Sequence, residues 1–463
     1  MSSDLGRQAV GGSFRDPSGI VYTDDGMLFR QVNKSYQGDY SLLMDSGLYE
    51  ELTCRGLLIP HEEVDAEPLD PVIHYKTIRP EPLSFISYPY EWCFSQLKDA
   101  ALATLELMKA ALAHGMVLKD ASAFNIQFRG MKPVLMDTLS FEAYVEGEPW
   151  IAYRQFCQHF LAPLALMAKV DVRLNGMLRQ HIDGIPLDLA SRLLPKKTFL
   201  SLGLASHIHL HAKSQLRYGA RRGGKIKSVR KHALLGLIDS LESTVSSLKW
   251  SPGNTSWADY YSDVNYDDAS MKQKTDAVKR FIDEVAPATC WDLGANTGRF
   301  SRLATGRGID TLSMDVDPSC VESNYLASVK AEDTCMHPLL TDLTNPSPSL
   351  GWDHGERDSL IGRGPCDLAL VLALIHHLAI AGNLPFSRIS SFLARVGRHM
   401  VIEYVPKTDS RAQLLLSRRK DIFYDYDLPG FKREFGRNFE FLDEFDLEGS
   451  DRILFLMKNK EKI

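Results

Sequence analysis

Along WDLGANTGRFS, residues 291–301, an acidic residue closes an apolar run, and two glycines and an asparagine follow before the next helical stretch. Glycine at 294 and 298 lets the backbone bend sharply and lets a ligand approach the main chain where no Cβ stands in the way. Asp292 falls at the end of a strand, and in open α/β sheets ligands bind beyond the carboxyl ends of the strands. The spacing is Gly-x-x-x-Gly, not the Gly-x-Gly-x-x-Gly that seats a dinucleotide pyrophosphate, which argues against a nicotinamide enzyme. One strand-helix-strand step later TLSMD ends in Asp315, where a carboxylate can accept hydrogen bonds from both hydroxyls of a ribose. LLTDLTNP sets Asp342 after a third strand, CDLALVLALIHHL runs from Asp367 into His376 and His377, and HMVIEYVPK carries Glu403 at the end of another strand. A histidine there can take a proton near neutral pH. The alternative for His376 and His377 is a hydrogen-bonded structural group, and Glu403 has the same standing.

These residues need a sheet that brings strand ends together. From Met271 the pattern runs helix, strand ATCWDLG, then alternating helices and strands, which is the signature of a parallel doubly wound sheet. NFEFLDEFDLEGSDRILFLMK closes it with two strands joined through Glu-Gly-Ser. The ordered set resembles class I S-adenosylmethionine (SAM)-dependent methyltransferases, with the 291–301 turn as their motif I and CDLALVLALIHHL as their motif IV. The resemblance implies a Rossmann-like α/β domain over 271–463 with an antiparallel C-terminal hairpin, SAM as cofactor and S-adenosylhomocysteine as product. It assigns Asp292, Gly294, Asn296 and Gly298 to the methionine portion, Asp315 to the ribose and Asp342 to the adenine. Asn296 departs from the many members with glycine there; its side chain either bonds the cofactor or favours the turn. Methyl transfer chiefly requires in-line positioning, so His376, His377 and Glu403 are candidate bases for a protonated acceptor. Tyr260, Tyr261 and Tyr266 either wall the acceptor pocket or cap the sheet.

A second constellation lies upstream. HGMVLKDASAFNIQF and PVLMDTLSF hold Asp120, Asn125 and Asp137 at spacings that resemble the catalytic loop and metal-binding aspartate of kinases, small-molecule kinases above all. That resemblance implies ATP and magnesium at Asp120, Asn125 and Asp137. The surrounding pattern is an Asp-Asp-Gly hairpin in GIVYTDDGMLFRQV, helices from Tyr40 to Arg55 and from Gln96 to His114, strands VIHYKTI and LSFISYPY, a second hairpin, and helices over 150–245. The departures are the missing Gly-x-Gly-x-x-Gly loop, Lys119 before the aspartate, and DTL for Asp-Phe-Gly. Arg30 and Lys34 are the candidates for a phosphate-pairing cation. We expect a flexible lead over 1–16, an α+β kinase-like domain with a helical lobe over 17–245, and a connection and cap over 246–270. YPYEWCFSQLKDAA, LKDASAFNIQF and IDGIPLDLASRLLP extend a resemblance over the whole chain to bacterial methyltransferase-like proteins related to the rhizobial nodulation proteins.

The 463 residues suit two domains, and 44% hydrophobic with 24% charged residues excludes a fibrous or largely disordered chain. A net charge of −6 gives no global attraction to nucleic acid or anionic membrane. Seven scattered cysteines, none spaced Cys-x-x-Cys, fit a reducing cytoplasm and no zinc site. A polar N-terminus and the lack of long apolar runs argue against secretion and membrane spanning. The basic stretch between Lys213 and Lys231 is either an RNA contact or a solvated linker, and we read it as linker because Tyr218 is its single aromatic. His207, His209 and His211 alternate as on one face of a strand, without a carboxylate or cysteine to complete a metal site. Three functions follow: a methyltransferase for a small-molecule, carrier-bound or peptide acceptor with the N-terminal domain as scaffold or acceptor-site element; a bifunctional kinase and methyltransferase; and a SAM- or RNA-binding module without turnover.

Overall fold

GIVYTD and MLFRQVN flank Asp25 and Gly26, and both turn residues take positive φ, 47° and 78°, as a two-residue hairpin turn demands. In the computed structural model, which describes residues 6–213, 228–253, 268–417 and 420–461, this hairpin joins β2 (Gly19–Asp24) to β3 (Met27–Asn33). The chain divides into two compact units: Met1–Trp250 with Ser349–Arg357, and Ser251–Pro348 with Asp358–Ile463.

In the first unit β1 (Gln8–Ala9), β2, β3, β4 (His61–Val64) and β5 (His74–Pro80) form an antiparallel sheet in the order β1-β2-β3-β5-β4. The expected loose lead is thus ordered from Gln8, because Gln8 and Ala9 pair with Thr23 and Tyr22 and a 3-10 turn, Gly11–Arg15, follows. The single helix expected from Tyr40 to Arg55 is two, Gln37–Asp45 and Leu48–Cys54, broken where Gly47 takes φ 82°. LSFISYPY is no strand. Pro82 and Pro89 lack backbone donors, and the Gln127 amide satisfies Ser87 instead, accepting from its N–H at 2.9 Å and donating to its carbonyl at 2.9 Å. The helix Phe94–Ala113 precedes β6 (Met116–Leu118), which pairs with β9 (Phe141–Ala143), while β7 (Ile126–Arg129) and β8 (Lys132–Leu135) form the second hairpin. Helical segments follow as far as Lys231–Ser247, which packs on Phe94–Ala113.

His207 and His209 lie on a π-helical turn, Ala205–Leu210, and not on a strand. Apolar Leu204, Ile208 and Ala212 recur at helical spacing and are buried together, so the helical period overrides the alternation of the histidines. His207 lies 2.8 Å from the Tyr153 hydroxyl and 2.9 Å from that of Ser240, and His209 lies 2.7 and 2.9 Å from Ser191 and Thr198. They are hydrogen-bonded structural groups.

The second unit is built on seven strands: β10 (Thr289–Leu293), β11 (Asp310–Asp315), β12 (Met336–Leu340), β13 (Cys366–Val371), β14 (Gly397–Tyr404), β15 (Phe439–Asp446) and β16 (Ile453–Asn459). Their order is β12-β11-β10-β13-β14-β16-β15, parallel through β14 and antiparallel at β16 and β15. This is the doubly wound sheet with a C-terminal hairpin that the pattern predicts. The helix Asp268–Val285 lays Met271, Val278, Phe281 and Ile282 into a core shared with Cys290, Leu368, Leu370 and Val401. β10 has β11 on one side and β13 on the other, so the connections leave it in opposite directions and open a crevice at its tip. Tyr260, Tyr261 and Tyr266, and most of the basic stretch between Lys213 and Lys231, lie outside the described residues. Among those described, no helix is long and apolar enough to cross a membrane.

Candidate functional site

The tip of β10 is shaped by three residues in the left-handed region: Gly294 at φ 79°, Asn296 at 52° and Gly298 at 78°. Asparagine is among the few side chains that tolerate this region, through local hydrogen bonding, and Asn296 Oδ1 accepts from the Thr297 N–H at 2.8 Å. Asn296 therefore serves the turn, one of the two roles expected of it. The N–H groups of Gly294 and Ala295 both reach the Met314 carbonyl at 2.9 Å, tying the turn to β11. Next to it, the Asp315 carboxylate accepts from the Asn296 N–H at 2.7 Å and from the Asp317 N–H at 2.9 Å. Two backbone amides thus fix this carboxylate at the rim of the crevice.

Asp292 accepts from the Ser301 hydroxyl at 2.7 Å, and Ser301 Oγ lies 2.9 Å from Ser313 Oγ, which in turn accepts from the Asn324 amide at 2.8 Å. A Cβ on Gly298 would meet Asn324 Oδ1 at 2.4 Å. Gly298 is required for that close approach and does not line the cavity described next, which corrects its expected contact with a ligand. Burial pushes the Asp292 carboxyl up to about 6, with the Asp315 charge adding to it; burial also raises Asp315.

A cavity of about 400 Å³ lies over these strand tips. Asp292, Gly294, Asn296, Asp315, Asp342 and His377 all line it, so six of the residues expected in one site share one space. Asp342 is exposed at its edge, its Oδ1 accepting from both the N–H and the hydroxyl of Thr344. Three further polar lining residues, Lys274, Thr341 and Thr344, were not foreseen. Lys274 is 2% exposed, and its ammonium is 2.6 Å from Glu403 Oε2 and 4.9 Å from the centroid of the Phe300 ring. Its signal was a lysine set between Met271 and Val278 on the apolar face of its helix. Thr341 is 5% exposed, and its hydroxyl has no hydrogen-bond partner among the described residues. A lone threonine after a strand carries no signal.

Of the three expected bases, His377 lines the cavity, whereas His376 and Glu403 do not. β13 ends at Val371, and both histidines lie beyond a loop, at the start of a helical turn. His376 is fully buried against the His377 ring, does not line the cavity, and its ring nitrogens have no hydrogen-bond partner among the described residues. Burial holds it well below the usual histidine range and pushes His377 down to about 4, so both are neutral and weakly basic at pH 7. Glu403 is also fully buried and does not line the cavity. Its carboxylate accepts from Lys274, from the Ala373 N–H at 2.7 Å and from Arg452 at 3.3 Å. Because Ala373 takes φ 51°, a conformation that side chains rarely adopt, Glu403 positions the loop after β13.

The three upstream residues belong to the first unit. Asp120 Oδ1 accepts from the Ser122 N–H and the Gln155 amide at 2.9 and 2.8 Å, and burial, with Asp137 second, raises its carboxyl. Asn125 Nδ2 is 3.5 Å from the Ser140 hydroxyl, and Asp137 Oδ1 accepts from the Leu139 N–H at 2.8 Å. Arg30 bridges Asp137 at 2.5 Å and Asp16 at 2.8 Å, while Lys34 donates to the Val72 carbonyl and takes no part. No group of three or more histidine, cysteine or acidic residues among the described residues is arranged to hold a metal.

A parallel sheet parted at β10, with acidic strand tips beneath a cavity, defines the second unit as a Rossmann-like unit. The sequence is 32% identical to nodulation protein NoeA of Rhizobium meliloti (strain 1021) over 466 residues, 98% of this chain and 96% of the relative. The chain belongs to the NoeA family. No family model matches it. Among solved structures, the bifunctional kinase-methyltransferase WbdD matches at 16% identity and TM-score 0.32, over 47% of this chain and 46% of its own. This chain therefore spans less than half the length of WbdD. Magnesium protoporphyrin IX methyltransferase (ChlM) of Synechocystis PCC 6803 with bound SAH matches at 16% and 0.32, over 44% of this chain and 92% of its own. N-methyltransferase NodS of Bradyrhizobium japonicum WM9 with S-adenosyl-L-homocysteine matches at 13% and 0.31, over 42% and 90%.

Proposed function

We propose that the chain is a SAM-dependent methyltransferase acting on a small-molecule, carrier-bound or peptide acceptor, with SAM held in the cavity over β10 and β11. The observation that supports it is the pairing of a buried carboxylate, Asp292, with a half-buried one, Asp315, at adjacent parallel strand tips lining one cavity with a single buried lysine. Asp315, fixed by two amides, keeps lone pairs for ribose hydroxyls. Asp292 faces the cationic amino-acid end, Lys274 suits its carboxylate, and Asp342 with Thr341 borders the adenine. SAM supplies a methyl group already activated by its sulfonium. What remains for the protein is to hold the acceptor in line and exclude water. His377, neutral at pH 7, orients an acceptor by hydrogen bonding. The first unit is a kinase-like scaffold in this reading. Calorimetry of the full chain with S-adenosylhomocysteine tests the cavity, and labelled SAM in an extract of producing cells identifies the acceptor. Absence of binding refutes the reading. Binding without label transfer to any component in the extract favours a SAM-binding module instead.

A further inference from the structure

A kinase-like first unit implies a divalent cation and ATP at Asp120, Asn125 and Asp137, yet the protein's own donors already engage one carboxylate oxygen of Asp120 and one of Asp137. Magnesium needs a near-octahedral set of oxygens at about 2.0–2.1 Å, with lone pairs turned toward the ion. Asp137 Oδ1 faces the Leu139 N–H and the Arg30 guanidinium, and Asp120 Oδ1 faces the Ser122 N–H and the Gln155 amide. Arg30 rises from the middle of β3 with its side chain 11% exposed, and its other terminal nitrogen reaches Asp16. A guanidinium keeps its charge at every accessible pH and fits between two carboxylates as a fixed cation.

An independent observation concerns the turn between β1 and β2. Kinases cover the nucleotide phosphates with a glycine-rich turn between two strands; this chain lacks that motif but has Gly11 and Gly12 between β1 and β2. Here Gly11 and Gly12 are pressed against Ser349–Arg357, the segment that completes the first unit. A Cβ on Gly11 would fall 1.8 Å from the Gly355 carbonyl oxygen, and one on Gly12 would fall 2.8 Å from Arg357 Nη1. Arg15 donates to both oxygens of Glu356, at 2.9 and 2.6 Å, and the Glu356 side chain is 2% exposed. The Arg357 guanidinium sits 4.7 Å from the centroid of the Phe124 ring, the residue before Asn125. The segment therefore runs from the glycine turn to the Phe124 ring, beside the Asp120–Asn125 turn.

We propose that the first unit is a kinase-like fold filled by its own residues, with Arg30 in place of the divalent cation and Ser349–Arg357 in place of a nucleoside triphosphate. This rests on the kinase-like reading of that unit and not on methyl transfer. Manganese uptake by the full chain, followed by electron paramagnetic resonance, tests it. Wild type is expected to leave the aqueous manganese signal unchanged, and to leave the signal of manganese–ATP as it is without protein when ATP is added. Arg30→Met, confirmed as folded by circular dichroism, is expected to take up about one manganese per chain and to lose it again with Asp137→Asn added. Uptake by wild type that Asp137→Asn abolishes overturns the proposal and leaves the kinase-like reading standing. A folded Arg30→Met chain without uptake overturns both. If Arg30→Met does not fold, the Arg15→Gln/Glu356→Gln variant decides: hydrogen exchange over 349–357 should rise by about tenfold or more with manganese still excluded. Unchanged exchange, or manganese bound, overturns the proposal.

Discussion

Replacing Asp292 by asparagine should make the ligand-free chain more stable while weakening its hold on a cationic ligand. The carboxyl is 1% exposed and raised to about 6, chiefly by burial. A carboxyl whose folded pKa is raised contributes stability below its unfolded value, near 4, and that contribution is lost as pH rises through the folded value. The shift of roughly two units corresponds to a penalty of about 3 kcal/mol at pH 8 and about half that at pH 5. Asparagine cannot ionise, and its carbonyl can still accept from Ser301. Urea unfolding followed by tryptophan fluorescence should therefore show the variant more stable by about 3 kcal/mol at pH 8, with the gain roughly halved at pH 5. Affinity for SAM should move the other way. In wild type, with protonation competing, it should fall about elevenfold at pH 5 relative to its plateau above pH 7. In the variant that Asp292-dependent fall should vanish, and affinity at pH 8 should drop by roughly 1.5–3 kcal/mol. A variant no more stable at pH 8, or one with unchanged SAM affinity and pH dependence, would refute the reasoning.

Asp315→Ala should weaken S-adenosylhomocysteine binding by roughly 1–3 kcal/mol in calorimetry, and an unchanged affinity removes Asp315 from the site. Lys274→Met should lower stability by roughly 3–5 kcal/mol, because it leaves Glu403 buried with less compensation. Adding Glu403→Gln should recover part of that loss, whereas strictly additive losses in thermal unfolding would mean that the pair does not act as a unit. Gly298→Ala should cost at least about 2 kcal/mol from backbone strain and the collision with Asn324. The folded fraction should still bind S-adenosylhomocysteine normally, and a selective loss of affinity at full stability would restore Gly298 to the cavity wall.

The parts of this molecule legible in its sequence are those set by short-range pattern. Each of β10, β11 and β13 is a short apolar run with its own boundary, and the acids at 292 and 315 follow directly from the ends of the first two. The hairpins at Asp25-Gly26 and Gly449 announce themselves through turn chemistry. What escapes is set by distant partners. Glu403 reads as a strand-end acid, but Lys274, 129 positions away, occupies it. The two histidines show their chemistry in the sequence, and only their burial, which disfavours the cationic form, shows that both are neutral at pH 7. LSFISYPY has the composition of a strand, yet Pro89 within it, Pro82 before it and a side chain 40 positions away dictate otherwise. The contact of Ser349–Arg357 with Gly11 and Gly12 has no local signature at all.

Because Ser349–Arg357 belongs to the first unit while its flanking sequence belongs to the second, no single cut in the polypeptide releases two whole modules. A fragment stopped at Trp250 would bare Arg15 and the glycine turn, and one begun at Ser251 would carry an orphaned excursion between β12 and β13. An end-to-end exchange at Trp250 would therefore deprive the first unit of the segment that completes it and leave that segment in the other fragment.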